Sequence, residues 1–377
     1  MAAQSADIVI IGAGIAGATA AYHLAAKHRV ILLERESQPG YHSTGRSAAL
    51  FAETYGNRPI RALTVASRAF LMEPPEGFSE TPILTPRGVM HVGTLEKAAY
   101  LDAFAAELRQ LVPSVRRLSP DDVLKRMPIL KPEVAAGGGV AEPEAMDIDV
   151  HALHRGYLRG AQAQGAKLVC DAEATALEYA GGLWHVTTPQ GEFAAPILVN
   201  GAGAWSDQVG QMAGLPRVGL QPKRRTAFTI DPPEGMDVSA WPMVIDSEET
   251  LYFKPDAGRI LISPADETPS EPVDAQPDEM DVAIAADRFE TMTTMIVRRP
   301  VAKWAGLRSF VSDKTIVVGF EKQAPAFFWL AGQGGYGIQT SAAVGRVVAG
   351  LIGGHGMPAD IAAVGVTEAD LSPERLR

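Results

Sequence analysis

Three glycines near the start of the chain have the spacing of a phosphate-binding turn. Gly12, Gly14 and Gly17 follow a short β-branched run and open an Ala-rich segment. In such a turn the first glycine makes the bend, the second lets the backbone approach a pyrophosphate, and the third lets helix and strand pack closely. The free N–H groups and partial positive charge of a helix start favour an anion.

A carboxylate at a fixed distance completes this pattern. Glu34 ends the next apolar run, 20 residues after Gly14. A carboxylate there accepts hydrogen bonds from a ribose diol and repels a 2′-phosphate, which argues against NADP. The pattern does not separate FAD from NAD.

A second glycine-rich turn lies at residues 332–340, between an apolar run and an Ala- and Val-rich segment. A flavin is long and needs hydrogen-bond donors near its ring, so a second turn favours FAD. On spacing alone, a purely structural role for this turn stays open.

The order of predicted elements indicates how these residues are positioned. Residues 7–11 and 30–33 are predicted strands flanking a helix at 16–27, and a strand at 327–331 precedes a helix ending near residue 351. We predict an α/β protein with a discontinuous Rossmann-like domain and a second α+β domain built on a mixed or antiparallel sheet. The first comprises 1–80, 145–217 and 306–377, and the second 81–144 and 218–305. Residues 113–132 are predicted to be turns and connections, 264–279 a solvated loop and 283–297 a helix.

Composition excludes several classes of function. The net charge of −10 argues against non-specific nucleic-acid binding. The single cysteine, Cys170, excludes an intramolecular disulfide and a cysteine-rich zinc site, and no metal is expected. The apolar segment 8–26 has no basic start and is interrupted by glycines, so we expect neither a membrane span nor a signal peptide. A cytoplasmic location is expected.

Three further motifs carry a family resemblance. They are His-Ser-Thr-Gly-Arg-Ser-Ala-Ala at 42–49, Val-Asn-Gly-Ala-Gly-Ala-Trp at 199–205 and Trp-Ala-Gly-Leu-Arg at 304–308. With both glycine turns, they resemble the D-amino-acid oxidase and glycine oxidase superfamily of flavoenzymes. Within it, the chain is most similar to the bacterial FAD-dependent D-arginine dehydrogenases, notably at 40–46, 220–225 and 333–341. The FAD is expected to be non-covalent, because the attachment cysteine of the related sarcosine oxidases has no counterpart near the C-terminal part.

The resemblance implies a set of site residues. Arg225, Arg308 and Tyr252 match side chains that bind the substrate carboxylate, and Tyr55 matches a lid tyrosine. The predicted substrate pocket comprises Leu50, Glu53, Val89, Gly335 and Gln339. The residues predicted to contact the cofactor are Gly12, Gly14, Ile15, Ala16, Gly17, Glu34, Arg35, Ser43, Thr44, Arg46, Ser47, Ala48, Ala49, Ala202, Gly203, Trp205, Gly334, Gly335, Tyr336, Gly337, Ile338, Gln339 and Thr340.

Without the family, ordinary structural roles are favoured for these side chains. The Lys-Arg-Arg run at 223–225 would be a solvated basic face, and Arg308 would stack on Trp304. Tyr55 and Tyr252 would be core or rim residues.

Two departures from the arginine-specific enzymes bear on the substrate. Val89 stands where a glutamate receives the substrate guanidinium, and Leu50 replaces a pocket histidine. A cationic side chain would lack a counter-charge there, unless Glu53 compensates.

These features predict FAD-dependent oxidation of a D-amino acid with a neutral or apolar side chain. A hydride moves from Cα to flavin N5, and the imino acid hydrolyses to a 2-oxo acid. One alternative is an oxidase or dehydrogenase of secondary amines, either N-methyl or cyclic imino acids. Another is a non-catalytic FAD-binding module. The sequence indicates neither the electron acceptor, oxygen or a quinone, nor the oligomeric state.

Overall fold

The computed structural model describes residues 3–377, with the side chain of residue 325 outside the description. The strands, in chain order, are β1 (Gln4–Ser5), β2 (Ile8–Ile11), β3 (Val30–Leu33), β4 (Leu50–Phe51), β5 (Leu84–Pro86), β6 (Val89–Val92), β7 (Arg116–Leu118), β8 (Gly139–Glu142), β9 (Met146–Ile148), β10 (Lys167–Val169), β11 (Ala176–Ala180), β12 (Leu183–Thr188), β13 (Gly191–Ala195), β14 (Ile197–Asn200), β15 (Gln221–Ile230), β16 (Met243–Asp246), β17 (Tyr252–Asp256), β18 (Arg259–Ser263), β19 (Thr268–Pro269), β20 (Ala302–Phe310), β21 (Val317–Glu321) and β22 (Ala324–Ala331).

The α-helices connect and cover these strands. They are α1 (Ile15–Leu24), α2 (Arg58–Met72), α3 (Ala98–Arg109), α4 (Pro120–Arg126), α5 (Pro132–Ala135), α6 (Val150–Ala163), α7 (Ser206–Met212), α8 (Glu279–Met292), α9 (Ser341–Ile352), α10 (Ala359–Ala363) and α11 (Glu368–Leu371). Short 3-10 turns lie at Leu95–Lys97, Gly203–Trp205 and Pro373–Leu376.

A six-stranded sheet forms the core around the first glycine turn. Its order is β10-β3-β2-β14-β22-β21, and all neighbours are parallel except β21, which runs antiparallel to β22. The strand β2 is entirely buried, as expected for a β-branched run in a parallel sheet. Its neighbours β3 and β14 bring Leu33 and Asn200 level with Ile11, so the carboxyl ends of these strands meet at one edge. This sheet confirms the predicted α/β fold.

The helices that follow the two glycine turns pack tightly on each other. A Cβ at Gly345 of α9 would lie 2.3 Å from Thr19 Oγ1 of α1. The absence of a side chain at Gly345 therefore lets the two helices approach closely, which fixes the relative position of the two turns.

A second, mixed sheet has the order β19-β15-β18-β17-β16-β6-β8-β7, with β20 paired to β15. The long antiparallel pair β15 and β20 matches nine residues of each strand. On one face, Phe228, Phe253 and Ile262 pack into an apolar core under α8. Because side chains alternate across a strand, the opposite face carries Arg225, Ala227 and Tyr252. The predicted residue limits of the two domains stay a prediction.

Of three local predictions, one was wrong, one differs in its bounds and one agrees with the structure. Residues 113–132 contain β7 and α4, and α4 begins with a capping box between Ser119 and Asp122 that we overlooked. The helix predicted at 283–297 is α8, which starts earlier because the Asp278 side chain accepts from the N–H of Met280. The segment 264–279 is mostly exposed and irregular apart from β19, as predicted, and it is anchored by Asp266, whose carboxylate accepts from the N–H of Thr226 at 2.7 Å.

Within residues 3–377, no helix is both long and apolar enough to cross a bilayer. The same part of the chain contains no cluster of three or more His, Cys, Asp or Glu side chains arranged to hold a metal ion. The cellular location stays a prediction.

Candidate active site

The first glycine turn leaves no room for side chains. Gly12 has φ +96°, and a Cβ there would lie 2.4 Å from the carbonyl oxygen of Gly201. A Cβ at Gly17 would lie 1.8 Å from the carbonyl oxygen of Gly12. The helix α1 starts directly after Gly14, and its first N–H, that of Ile15, donates to Thr44 Oγ1 at 3.0 Å. The next N–H groups of the first turn have no partner within the helix.

Buried polar groups hold this turn. Glu34 is 7% exposed, and its carboxylate accepts from the N–H groups of Ala13 at 2.9 Å and Glu36 at 3.0 Å. Burial raises the pKa of Glu34, although these hydrogen bonds favour the charged form. On the other side, His154 Nε2 lies 2.8 Å from the carbonyl oxygen of Ala13, and burial lowers the pKa of His154. A neutral His154 can still donate to that carbonyl.

A glycine-turn cavity opens beside these groups. The Arg35 guanidinium lies 4.9 Å from the centre of the Trp205 ring, and the His42 ring lies 4.7 Å from it. The lining residues are Ile11, Gly12, Gly14, Leu33, Glu34, Arg35, Gly40, Tyr41, His42, Ser43, Thr44, Ala172, Glu173, Ala174, Gly201, Ala202, Gly203, Ala204, Trp205, Gln208, Val209 and Met212.

An arginine cavity adjoins it. Ser43 and Thr44 line both cavities, so together they form one elongated site. The arginine cavity is lined by Ile15, Ser43, Thr44, Arg46, Ser47, Ala48, Arg225, Ala227, Tyr252, Gly306, Leu307, Arg308, Gln333, Gly334, Gly335, Gly337 and Ile338.

Strand register brings the two arginines together. Arg225 on β15 is opposite Gly306 on β20, and Lys223 is opposite Arg308. Arg225 and Arg308 are therefore diagonal neighbours on one face of the sheet. A Cβ at Gly306, directly opposite Arg225, would lie 3.5 Å from Arg46 Cβ and 3.9 Å from Ser43 Cα, so this position faces the residues that line the cavity.

Two tyrosines contact these arginines: Tyr252 lines the cavity, whereas Tyr55 lies outside its lining and reaches Arg308. Arg308 Nη1 donates to the Tyr55 hydroxyl at 3.1 Å, and the Arg225 guanidinium carbon lies 5.9 Å from the centre of the Tyr252 ring. Burial opposes ionisation of the Tyr252 hydroxyl, but the positive charges of Arg225 and Arg308 outweigh it, so the pKa of Tyr252 lies below its ordinary value. Two guanidinium charges beside this hydroxyl suit an anionic ligand.

The second glycine turn meets this group of side chains. A Cβ at Gly335 would lie 2.9 Å from the Tyr55 hydroxyl oxygen and 3.1 Å from the guanidinium of Arg308. A Cβ at Gly334 would lie 2.3 Å from the Phe310 ring. The absence of side chains at these positions therefore lets the turn and the arginines share one cavity.

Several predicted contact residues do not line either cavity: Ala16, Gly17, Ala49, Tyr336, Gln339 and Thr340. Gln339 is 2% exposed, and its amide donates to Thr64 Oγ1 at 2.8 Å. Thr340 Oγ1 donates to the Tyr336 carbonyl at 2.9 Å. These two side chains hold the second turn in shape. Arg46 lines the arginine cavity, but its guanidinium donates to the carbonyl oxygens of Ala275 and Ala305.

The three predicted side-chain contacts of the substrate also lie outside the cavity lining. Val89 and Leu50 pack in the apolar cluster that contains Tyr252. Glu53 points elsewhere, because its carboxylate accepts from Arg68 Nε at 2.7 Å.

Sequence reasoning missed Gln333, which lies in the second glycine turn. Its side-chain Nε2 is buried, lines the arginine cavity and has no hydrogen-bond partner within the described residues. The sequence signal for this residue was a polar side chain between two glycines, Gly332 and Gly334. His42 and His154 were missed too, and His154 carried no local signal because it is distant in sequence from the turn it supports.

Comparison with known proteins agrees with this geometry. The family model of the FAD-dependent oxidoreductases, DAO, matches residues 7–351. The chain belongs to this family. FAD-dependent oxidoreductase domain-containing protein 1 of Bos taurus is 24% identical over 93% of this chain and 81% of its own length. Mitochondrial dimethylglycine dehydrogenase of Mus musculus is 26% identical over 94% of this chain, which spans 43% of that protein. The crystal structure of glycine oxidase from Geobacillus kaustophilus is 23% identical and superimposes with a TM-score of 0.84, covering 97% of this chain and 99% of that one.

The residues of this FAD-dependent oxidoreductase fit the cofactor. Gly12 and Gly14 with the start of α1 would hold the pyrophosphate, and Glu34 would accept from the ribose. The buried Nε2 of Gln333 is a free donor on the side of the second turn, where the polar edge of a flavin ring needs donors. The site is elongated through Ser43 and Thr44, which suits a long dinucleotide.

Glu34→Ala is expected to weaken FAD binding about 10- to 150-fold, because a hydrogen bond to a charged group contributes roughly 1.5–3 kcal/mol. Titration of the apoprotein with FAD measures the dissociation constant. Glu36→Ala, which removes a partly exposed carboxylate bonded to His42, is the control and is expected to change it less than threefold. Equal FAD affinity in Glu34→Ala and wild type would contradict the ribose assignment.

Proposed function

We propose that this chain oxidises a D-amino acid with a neutral, apolar side chain to the imino acid, which hydrolyses to the 2-oxo acid. The observation that carries the proposal is the pair of arginines on one sheet face beside the second glycine turn. FAD, when bound, supplies the acceptor at N5 for the hydride that leaves Cα.

The two guanidinium groups support a carboxylate as the recognised group. Arg225 and Arg308 are largely buried in the cavity, where charge-assisted hydrogen bonds are strong. Arg225 Nε donates to the carbonyl oxygen of Asp266 at 2.8 Å, which fixes its fork towards the cavity. When two fixed guanidinium groups bind the substrate carboxylate, the substrate Cα–H can adopt only a few orientations. Orienting the Cα–H in this way is the protein's contribution to the rate.

The same field acts on the substrate amine. No Asp, Glu, Lys or His side chain lines the arginine cavity among the described residues. An ammonium group would enter beside two positive charges without a carboxylate partner, so the neutral amine is favoured. A neutral amine has the lone pair that stabilises the imine as it forms.

The apolar cluster supports a neutral substrate side chain. Val89, Leu50 and Met243 pack around Tyr252, which borders the arginine cavity. The one predicted compensating acid, Glu53, is already paired with Arg68. A long cation would therefore lose its hydration without gaining a partner.

A second candidate is oxidation of an N-methylated or cyclic amino acid, and the similarity to dimethylglycine dehydrogenase favours it. The carboxylate would be held by the same arginines, and only the substituents on nitrogen would differ. Anaerobic flavin absorbance separates the candidates. We expect bleaching by apolar D-amino acids, and bleaching by N-methyl or L-amino acids alone would overturn the main proposal. A flavin that stays oxidised with every substrate would indicate a binding module without chemistry.

The FAD is expected to be released completely by acid or heat. The single cysteine, Cys170, lines neither cavity, so it is not placed to form a flavin thioether. Precipitation of the protein followed by absorbance of the supernatant measures the released fraction. Yellow colour that stays with the denatured chain would contradict non-covalent binding.

A further inference from the structure

The turn that carries Tyr55 is hydrogen-bonded to Glu142, a buried acid of the mixed sheet. Glu142 ends β8 and is 3% exposed. One of its carboxylate oxygens accepts from the backbone N–H of Glu53 at 2.8 Å, and the other accepts from the Thr54 hydroxyl. Both donors immediately precede Tyr55, so Glu142 grips the chain next to the tyrosine.

This grip has a direct path to the arginine cavity. The Tyr55 N–H donates to the Ala52 carbonyl at 3.2 Å, which closes the turn, and the Tyr55 hydroxyl accepts from Arg308 Nη1 at 3.1 Å. A shift of the turn would move that hydroxyl away from Arg308. Gln339 Oε1 also accepts from the Ala52 N–H at 3.4 Å, at the start of the turn. Among the described side chains of the mixed sheet, Glu142 is the one that accepts from Glu53 and Thr54.

Glu142 is not used as a counter-charge by a protein cation. Its register partner is Val89, so its side chain lies on the sheet face that borders the apolar cluster. Arg68 pairs with Glu53 and Glu144 instead. Burial raises the pKa of Glu142, with the two hydrogen bonds opposing it. The side-chain hydrogen bonds that the described residues show for Glu142 all go to this turn, and they offset part of the cost of its burial.

We infer that Glu142 is a positioning residue for Tyr55: it fixes the Ala52–Tyr55 turn so that the tyrosine hydroxyl meets Arg308, one of the two arginines proposed to bind the substrate carboxylate. The effect on turnover rests on the proposed function, whereas the effect on the turn does not. A rival reading is that Glu142 supplies the negative charge for a cationic substrate group.

The first measurement is independent of substrate. Hydrogen exchange of the holoenzyme, followed in peptides covering residues 50–56, reports the Glu53 amide. Glu142→Ala is expected to speed exchange in these peptides about tenfold or more, because the Glu53 amide loses its hydrogen-bond acceptor. Glu142→Gln keeps an oxygen for the Glu53 N–H and gains an amide donor for Thr54, so exchange stays close to wild type. Unchanged exchange in Glu142→Ala would overturn the inference.

The second measurement is a double-mutant cycle with Tyr55→Phe, using kcat/KM for D-leucine. Glu142→Ala is expected to lower kcat/KM about tenfold in the wild-type background and by less than twofold in Tyr55→Phe, because the residue acts through that hydroxyl. Additive losses would overturn the inference. If Glu142→Gln loses as much as Glu142→Ala, the carboxylate charge matters and the rival reading is correct.

Two further variants guard against misfolding and failure of the proposed function. Thr54→Val removes one donor without changing shape and is expected to show part of both effects, even if Glu142→Ala fails to fold. Glu144→Ala, an exposed acid two residues away, should change neither measurement. If exchange is faster in Glu142→Ala but the wild type does not turn over D-amino acids, the positioning role of Glu142 is supported and only the proposed function is refuted.

Discussion

Replacing Arg308 with methionine is expected to lower kcat/KM for an apolar D-amino acid by about 30- to 5,000-fold, the range that corresponds to 2–5 kcal/mol for removing one partner of a buried charge pair. Methionine keeps the length and apolar stem of arginine but removes the charged fork. Arg225→Met should have an effect of the same order, because the two guanidinium groups face one cavity. Steady-state kinetics with D-leucine and D-methionine measures both.

Arg224 provides a matched control for these variants. It adjoins Arg225 in sequence, but its guanidinium points to the opposite face and donates to the Asp281 carboxylate at 2.8 Å. Arg224→Met should keep kcat/KM within about threefold of wild type once folding is verified by thermal unfolding. Near wild-type kinetics in Arg308→Met or Arg225→Met would make that arginine a structural residue.

The second large effect concerns the substrate side chain. The wild type should prefer D-leucine to D-arginine in kcat/KM by roughly 150- to 5,000-fold, the range for 3–5 kcal/mol of an uncompensated buried charge. Val89 and Leu50 lie outside the cavity lining in the apolar cluster around Tyr252, and Glu53 is paired with Arg68, so none of them provides a counter-charge. An apolar side chain gains about 25 cal/mol for each Å² it buries. Competition kinetics with both substrates gives the ratio, and a wild-type preference for D-arginine or D-lysine would refute this account of the pocket.

Charge and size can be separated at Val89. Val89→Glu should shift the ratio of kcat/KM values towards D-arginine, because it places a carboxylate in the apolar cluster around Tyr252. Val89→Gln has nearly the same volume without the charge and should leave the preference for D-leucine. Since Glu142 is the register partner of Val89, the new carboxylate would stand beside another acid, and this repulsion should increase the benefit of a substrate cation. Equal ratios of kcat/KM for D-leucine and D-arginine in both variants would show that the substrate side chain does not reach residue 89.

The parts of the site that were predictable are those whose signal is local. Gly12, Gly14 and Glu34 lie in one βαβ unit, where spacing alone fixes the relation between turn and carboxylate. Arg225 and Arg308 are far apart in sequence, and only the resemblance indicated that they act together. Their meeting depends on the register of β15 with β20, which no local pattern reports.

The contacts that were not predicted have the same physical origin. Residues 264–279 are rich in Pro, Asp and Glu, a composition typical of exposed loops. Here the acids are partners of distant cations: Asp274 pairs with Arg46 at 2.5 Å, and Glu267 with Lys223 at 2.7 Å. Likewise Glu142 had no visible role, because its donors lie almost 90 residues earlier in the chain.

The way the six-stranded sheet is assembled has a consequence for biosynthesis. Strand β14 lies between β2, from the start of the chain, and β22, near its end. During synthesis, β2, β3 and β14 emerge long before β22. Until β22 is made, the backbone edge of β14 that later pairs with it has no partner strand. Such edges promote aggregation, and pairings between distant segments form slowly. The two glycine turns therefore come together in one sheet only after β22 has been synthesised.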